Sequence, residues 1–330
     1  MRELLRVEGL VTRFYTDEGV VKAVDGSWFA LEADEALGVV GESGSGKTVT
    51  ALSIMRLIEN PGRIESGRIL FRGEDLLEKP EREMRRIRGK EISMVFQDSL
   101  SSLNPTLTIG AQIARVLKYH TRLTRRARWQ RAVKLLEAVG IPEPAKRVSH
   151  YPHQLSGGMR QRALIAMAIS CNPKLLILDE PTTALDVTIE AQIFGLIGEL
   201  KDEFRMGVFL ITHDLSVVAS FCQQVIIMYA GKIVEEADVQ ELYGNPLHPY
   251  TLGLLRSIPP LEEEAERLES IPGEVPDLIN LPPGCNFSPR CALTDERCWH
   301  EEPELAEVSP GHRVACHRVA VPVGVGEIHG

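Results

Sequence analysis

Hydrophobic positions along the chain recur with two spacings. Leu37 to Val40 is an unbroken apolar run that stops at Gly41, and it reads as a buried strand entering a glycine-rich loop. Beyond Thr48, the residues Val49, Leu52, Met55 and Ile58 repeat at helical spacing until Pro61-Gly62 interrupts them. Strand, loop and helix in that order open an α/β fold. Ile92 to Phe96, Lys174 to Leu178, Val208 to Thr212 and Val225 to Met228 read as further strands, with Asp179-Glu180 after the second and His213 after the third. Residues 80–90 (Glu81, Arg82, Glu83, Arg85, Arg86) read as a solvated helix. Residues 104–170 read mainly as helix, with Arg122, Arg125, Arg126, Arg128 and Arg131 on a wet face. Strands alternating with helices predict a largely parallel sheet that binds ligands at the carboxyl ends of its strands.

At 330 residues the chain has room for one large domain and a smaller one. Its 44% hydrophobic and 25% charged residues give no support to a disordered or coiled-coil chain. A net charge of −9 argues against a surface that coats nucleic acid. The start, Met1 to Glu8, lacks a secretory signal, and no stretch approaches the ~18 apolar residues that span a bilayer. Ala163 to Ile169 is one of the longest apolar runs. The expectation is a cytosolic chain whose six cysteines are not stable disulfides. Any membrane part must come from another chain. Near residue 256 the composition shifts: Pro259, Pro260, Pro272, Pro276, Pro282 and Pro283, an acidic run Glu262–Glu264, and clustered cysteines predict a separate loop-rich extension over 256–330.

Gly41-Glu-Ser-Gly-Ser-Gly-Lys-Thr48 fits G-x-x-x-x-G-K-[ST] in full. Glycines let the backbone wrap an anion so that successive N–H groups face phosphate oxygens, and the following helix offers its positive end. The nucleotide-binding set is Gly41, Ser43, Gly44, Ser45, Gly46, Lys47, Thr48 and Val49. Lys47 is expected on the β- and γ-phosphates of ATP and the Thr48 hydroxyl on Mg²⁺. An accidental glycine-rich turn is the competing reading, and the strand before and helix after argue against it.

Lys174-Leu-Leu-Ile-Leu-Asp179-Glu180 delivers two carboxylates at a strand end. After a phosphate loop, Asp179 is expected to hold Mg²⁺ and Glu180 to orient or deprotonate the attacking water. Between the two motifs lies Leu155-Ser156-Gly157-Gly158-Met159, where Ser156 is a candidate N-cap and the glycines leave N–H groups open at a helix start. On those residues alone, a plain capped helix is the simpler reading.

The order of Gly41–Thr48, Gln97, Leu155–Met159, Leu175–Glu180, Ala184-Leu185-Asp186 and His213 resembles the ATP-binding subunits of ABC transporters over residues 1–255. The loop itself, Leu103-Asn-Pro-Thr-Leu-Thr-Ile-Gly110, Pro181-Thr-Thr-Ala-Leu-Asp-Val-Thr188 and His248-Pro-Tyr-Thr251 resemble the dipeptide, oligopeptide and nickel importer branch. The resemblance implies a P-loop NTPase core with a parallel sheet, an antiparallel β edge and a helical subdomain inserted at about 101–165. It implies Gln97 on Mg²⁺ and sensing the membrane partner, and His213 linking the γ-phosphate to Glu180. Asp186 lies on a dimer interface in this scheme, and Phe14 or Tyr15 stacks on adenine. Leu155, Ser156, Gly157, Gly158 and Met159 close over ATP held by a partner subunit in a head-to-tail dimer. Two departures stand out: Met159 where Gln is usual, and Asp34 where Gly is usual before Glu35. Asp tolerates a left-handed backbone better than most residues.

Cys285, Cys291, Cys298 and Cys316 are spaced C-x5-C-x6-C-x17-C, unlike common zinc modules. Four thiolates suit zinc or an iron–sulfur cluster, with unliganded thiols as the remaining reading. The surrounding Pro282 to Cys291 and Val314 to His317 resemble the C-terminal domain of peptide-importer ATPases, which implies a [4Fe–4S] cluster. Its expected role is to staple a segment with few large apolar residues. His300, His312 and His317 lie nearby and read as surface or core residues, and Cys171 and Cys222 as packing residues.

The function expected from these features is an ATPase subunit, at the cytoplasmic face of the cell membrane, powering peptide import. Its partners would be a second paralogous ATPase, two transmembrane permease subunits and an extracytoplasmic binding protein. A nickel importer of the same branch, a soluble ABC-type ATPase in DNA repair or translation, and a redox-gated ATPase are the alternatives.

Overall fold

The computed structural model describes residues 3–97, 102–183, 185–257 and 271–319; the acidic run Glu262–Glu264, Pro259, Pro260 and Ala184 lie outside these ranges. Twelve strands are found among the described residues: β1 (Glu3–Thr16), β2 (Gly19–Glu32), β3 (Ala36–Val40), β4 (Gly62–Phe71), β5 (Glu74–Asp75), β6 (Ile92–Val95), β7 (Leu175–Asp179), β8 (Gly207–Thr212), β9 (Gln224–Tyr229), β10 (Lys232–Asp238), β11 (Ala306–Ser309) and β12 (His312–Val314). They form a four-stranded sheet, β2-β1-β4-β5, and an eight-stranded sheet, β11-β12-β10-β9-β3-β8-β7-β6. The five strands from β9 to β6 run parallel, and β10, β12 and β11 continue the edge antiparallel.

The apolar runs that predict strands do so because the parallel sheet is buried on both faces. Along β3, Leu37 and Val39 face one core while Ala36 and Val40 face the other. On β7, Leu175 and Ile177 divide from Leu176 and Leu178 in the same way, and on β8 Phe209 and Ile211 divide from Val208 and Leu210. Such strands read as continuous rather than alternating hydrophobics. One core lies against the smaller sheet and helix α1 (Lys47–Ile54); the other receives the remaining larger helices.

α1 ends at Ile54, four residues short of the periodic pattern, because Arg56 turns left-handed at φ 51° and takes Ile58 out of the helix. α2 (Glu81–Ile87) buries only Met84, as a solvated helix should. The inserted helices are α3 (Ile109–His120), α4 (Arg125–Ala138), α5 (Pro144–Arg147) and α6 (Gly157–Ala168). Thr108, Thr124 and Ser156 cap α3, α4 and α6, each accepting from the backbone N–H three residues on at 3.3 Å. α3 presents Ile109, Ile113 and Leu117 to the core, and α4 presents Ala132, Leu135 and Leu136. Arg122, Arg125 and Arg126 are exposed, while Arg128 and Arg131 are half-buried. α7 (Val187–Phe204) and α8 (Leu215–Phe221) cover the sheet, Asp34 adopts the left-handed turn at φ 66°, and Cys222 is buried while Cys171 is half-buried.

Past α9 (Val239–Gly244) and α10 (Pro249–Arg256), the C-terminal extension carries α11 (Glu296–His300) and contributes β11 and β12 to the main sheet through β10. Its anchor is Glu235 on β10, whose carboxylate is fully buried. It accepts from the Leu247 and His248 N–H groups at 2.7 and 3.0 Å and meets His312 Nε2 at 2.8 Å. Phe287 of the extension stands edge-on to Tyr229, with centroids 5.2 Å apart, and packs against Tyr250 and His248. Phe287 is 3% exposed. Phe287→Ala should therefore cost about 3–5 kcal/mol of stability in urea unfolding, as buried Phe truncations do; a loss under about 1 kcal/mol would show that the extension does not share the core of the main domain.

Candidate functional site

β3 leads the chain into the loop 41–46 at the carboxyl edge of the sheet. Gly46 sits left-handed at φ 103° directly before α1, where a Cβ would come within 2.3 Å of the Ala23 carbonyl oxygen. At Gly41 a Cβ would meet the Met228 carbonyl oxygen at 2.2 Å. Glycine at both places is a packing requirement of the loop on β9 and β2. Lys47 is folded onto this loop, donating to the Gly41 and Glu42 carbonyl oxygens at 2.7 and 2.9 Å. Burial lowers its pKa, and the carboxylates of Glu180 and Asp179 partly offset that.

Opposite the loop, β7 delivers Asp179, 2% exposed, to the Thr48 hydroxyl, which donates to Asp179 Oδ1 at 3.0 Å. Two hard oxygen donors in direct contact beside a lysine and a helix N-terminus suit Mg²⁺, which takes few protein ligands and keeps several waters. Burial raises the pKa of Asp179; the Thr48 hydrogen bond opposes this and Glu180 adds to it.

Glu180 itself is left-handed at φ 45°, held there by its N–H donating to Ile211 O at 2.9 Å. A non-glycine residue in that region is a local strain that the surrounding sheet over-determines. One carboxylate oxygen, Oε2, collects three groups: Gln97 Nε2 at 2.8 Å, Thr183 Oγ1 at 3.0 Å, and His213 Nδ1 at 3.7 Å. Gln97, Glu180 and His213, up to 116 residues apart in the chain, thus converge on one point. Thr183 was not singled out by sequence pattern. Its place three residues after Glu180, in the same tight turn, is the signal available.

Other expected site residues lie elsewhere. Ser156 caps α6, and among the described residues no hydrogen bond or ion pair joins 155–159 to the phosphate loop or Glu180. Met159 packs half-buried against the core, and Asp186 caps α7 by accepting from Ile189 N at 2.9 Å. At the end of β1, Tyr15 bonds Glu65 and carries the Arg63 guanidinium 4.3 Å over its ring. The Phe14 ring lies against Gly62, where a Cβ would meet it at 2.5 Å.

Two residues that the motifs give no role, Tyr250 within His248–Thr251 and Arg290 within Pro282–Cys291, touch the loop. Tyr250 accepts from the Glu42 N–H, and Arg290 of the extension pairs with the Glu42 carboxylate. No local pattern announces them, because both contacts cross more than 200 positions.

The four C-terminal thiols gather in one region, with the Cys285 N–H donating to Cys298 O at 2.8 Å. Burial pushes Cys285 up to about 11, with Cys316, Cys298 and Cys291 adding repulsion, and burial also raises Cys291 and Cys316. Among the described residues no three His, Cys, Asp or Glu side chains are close enough together to hold a metal ion. Neither the expected [4Fe–4S] cluster nor the alternative zinc site therefore finds support in the arrangement of the described residues; sulfurs sharing one zinc, for instance, lie within about 4 Å of each other.

Two family descriptions match the chain: ABC transporter over residues 24–183, and oligopeptide/dipeptide transporter, C-terminal region, over 234–298. It is 49% identical to the oligopeptide transport ATP-binding protein AppD of Bacillus subtilis, across 96% of this chain and 97% of that one. It is 48% identical to the dipeptide transport ATP-binding protein DppD of Escherichia coli, across 95% and 96%. The fold is similar to the dimeric bacterial ABC transporter cassette MJ0796, at TM-score 0.65 and 27% identity, covering 72% of this chain and 99% of that one.

A folded-state pKa raised above the unfolded value means that ionised Asp179 costs stability at neutral pH, and that the cost fades as pH falls. Without Mg²⁺, Asp179→Asn should melt higher than the unaltered protein at pH 7. The gap should narrow toward the carboxylate range. Equal melting at pH 7 would contradict this reading.

Proposed function

This chain belongs to the ATP-binding subunits of ABC transporters, and we propose that it hydrolyses ATP to drive import of dipeptides or oligopeptides across the cell membrane. The observation that carries the reading is the convergence of Gln97, Thr183 and His213 on Glu180, beside the Thr48–Asp179 contact and the phosphate loop. The peptide branch is supported by the match over 234–298 and by relatives named for oligopeptide and dipeptide transport.

In this reading the N–H groups of the loop and of α1 receive the phosphates of ATP. Lys47 leaves the carbonyls of Gly41 and Glu42 for the β- and γ-phosphates. Thr48, Asp179 and Gln97 are the oxygen donors for Mg²⁺, which neutralises phosphate charge when bound. Glu180 orients the attacking water and takes its proton, His213 bridges to the γ-phosphate, and Phe14 or Tyr15 stacks on adenine. Ser156 to Gly158, which make no hydrogen bond to this chain's own loop among the described residues, complete the ATP site of a second ATPase subunit in a head-to-tail pair. The similar cassette MJ0796 is itself described as a dimer.

No helix among the described residues is long and apolar enough to cross a membrane. The match to the ABC transporter family and to relatives named as transport ATP-binding proteins supports permease subunits that supply the pathway, with the chain at the cytoplasmic face. Supporting their docking is an apolar cleft of roughly 330 Å³ between the core and the inserted helices, lined by Leu57, Met94, Phe96, Val116, Leu164 and Met167. It adjoins Gln97 in the chain, which ties permease contact to the hydrolytic centre. An extracytoplasmic binding protein would deliver the peptide.

For the cysteines we retain the [4Fe–4S] reading on the strength of the match to the oligopeptide/dipeptide transporter C-terminal region, which covers Cys285, Cys291 and Cys298. Two buried hydroxyls support it. Among the described residues Ser288 Oγ and Thr294 Oγ1 have no hydrogen-bond partner, although their own N–H groups bond Cys285 O and Cys291 O, so cluster sulfur would offer them an acceptor.

Glu180→Gln should lower ATP turnover by about 10²–10⁴-fold while nucleotide binding persists, as expected for loss of a general base; undiminished turnover would sink the mechanism. Cells lacking the chain should fail to take up labelled di- or oligopeptides, and Lys47→Ala should not restore uptake. Protein purified without oxygen should contain iron and acid-labile sulfide, absent from Cys291→Ser/Cys298→Ser. Iron-free unaltered protein would retire the cluster.

A further inference from the structure

The second residue of the phosphate loop is acidic, and a bare carboxylate beside a triphosphate site opposes ATP binding. That residue, Glu42, is engaged on both oxygens by one guanidinium. Arg290 Nη1 donates to Oε2 at 2.6 Å and Nη2 to Oε1 at 3.1 Å, across 248 positions of the chain. A bidentate fork of this kind is stronger and more directional than a single ion contact.

The fork is itself immobilised. The Arg290 side chain is 3% exposed, its Nε donates to Pro272 O at 2.9 Å and its Nη2 to Ile271 O at 3.3 Å. Its Nη1 lies 3.4 Å from Tyr229 Oη. Independently, the Glu42 backbone N–H donates to Tyr250 Oη at 2.9 Å, and the Tyr250 ring is wedged against Tyr229 and Phe287 at centroid distances of 4.7 and 5.4 Å. Glu42 therefore turns both its carboxylate and its N–H toward the C-terminal part of the chain. The anion cradle is left to the N–H groups that follow it.

We propose that Arg290 is a positioning residue of the ATP site, supplied by the C-terminal extension. It cancels the Glu42 charge and holds that carboxylate away from the phosphates. ATP affinity then depends on a residue well outside the cassette motifs. The inference rests on ATP being held by residues 41–48.

The test measures the Kd of a fluorescent ATP analogue with Mg²⁺, together with KM and kcat for ATP, on the full-length protein. Arg290→Gln should raise Kd and KM about tenfold, as expected for one unneutralised charge partly screened by water. The value of kcat should change less than about twofold, because loop binding and not water activation is affected. Glu42→Gln removes the charge at its source. It should bind at least as tightly as the unaltered protein, and Arg290→Gln/Glu42→Gln should recover Kd to within about twofold. Loss of packing alone would not be reversed by a second substitution, so failure of that rescue overturns the proposal, as does an unchanged Kd in Arg290→Gln. If Arg290→Gln does not fold, Arg290→Lys carries the test. Its single ammonium should weaken binding about threefold, with rescue by Glu42→Gln, and unchanged affinity would again overturn the proposal. Lys47→Ala separates the two levels: binding as tight in Lys47→Ala as in the unaltered protein would refute the loop as the ATP site, whatever Arg290 does.

Discussion

Two-sided burial of the parallel strands is the constraint on which the rest depends. With β3, β7, β8 and β9 sealed on both faces, their side chains have no freedom to shift register, since a one-residue slip would exchange the two cores. At the carboxyl ends of these strands the backbone turns out of the core at fixed positions. There the chain puts the phosphate loop after β3, Asp179 and Glu180 at the end of β7, and His213 after β8. The site inherits its precision from packing that contains no catalytic residue.

Charge at that edge is balanced rather than neutral. Lys47 is buried and its pKa lowered, Asp179 is buried and its pKa raised, and each is shifted by the other's neighbourhood. Lys47 is satisfied by two loop carbonyls and Asp179 by the Thr48 hydroxyl. Those are interactions that phosphate and Mg²⁺ can replace with stronger ones. Glu180 likewise rests on Gln97 and Thr183, on a strained backbone maintained by β8.

The C-terminal extension is less separate than its proline-rich composition suggests. It lengthens the main sheet by two strands, pairs His312 with the buried Glu235, and places Phe287 among Tyr229, Tyr250 and His248. Arg290 then joins it to the phosphate loop. The thiols occupy the same segment, so whatever holds them together also bears on the scaffold of Arg290. They do not form a single-ion donor set, which spacing along the chain had no means of revealing.

The strand–loop–helix around Gly41 to Thr48, the acidic pair ending β7, the capped helix at Ser156 and the order of the motifs were legible in the chain alone. They are local: each depends on residues within a few positions, through steric freedom at glycine, side-chain capping, and runs of apolar residues that suit a strand buried on both faces. The length of α1 was misjudged because periodicity does not register a left-handed residue such as Arg56. What tertiary structure alone decided is the meeting of distant groups: Gln97 and His213 at Glu180, Thr48 at Asp179, Glu235 with His312, and Arg290 with Glu42. These contacts carry no sequence period, because they arise where separately packed strands and loops end side by side.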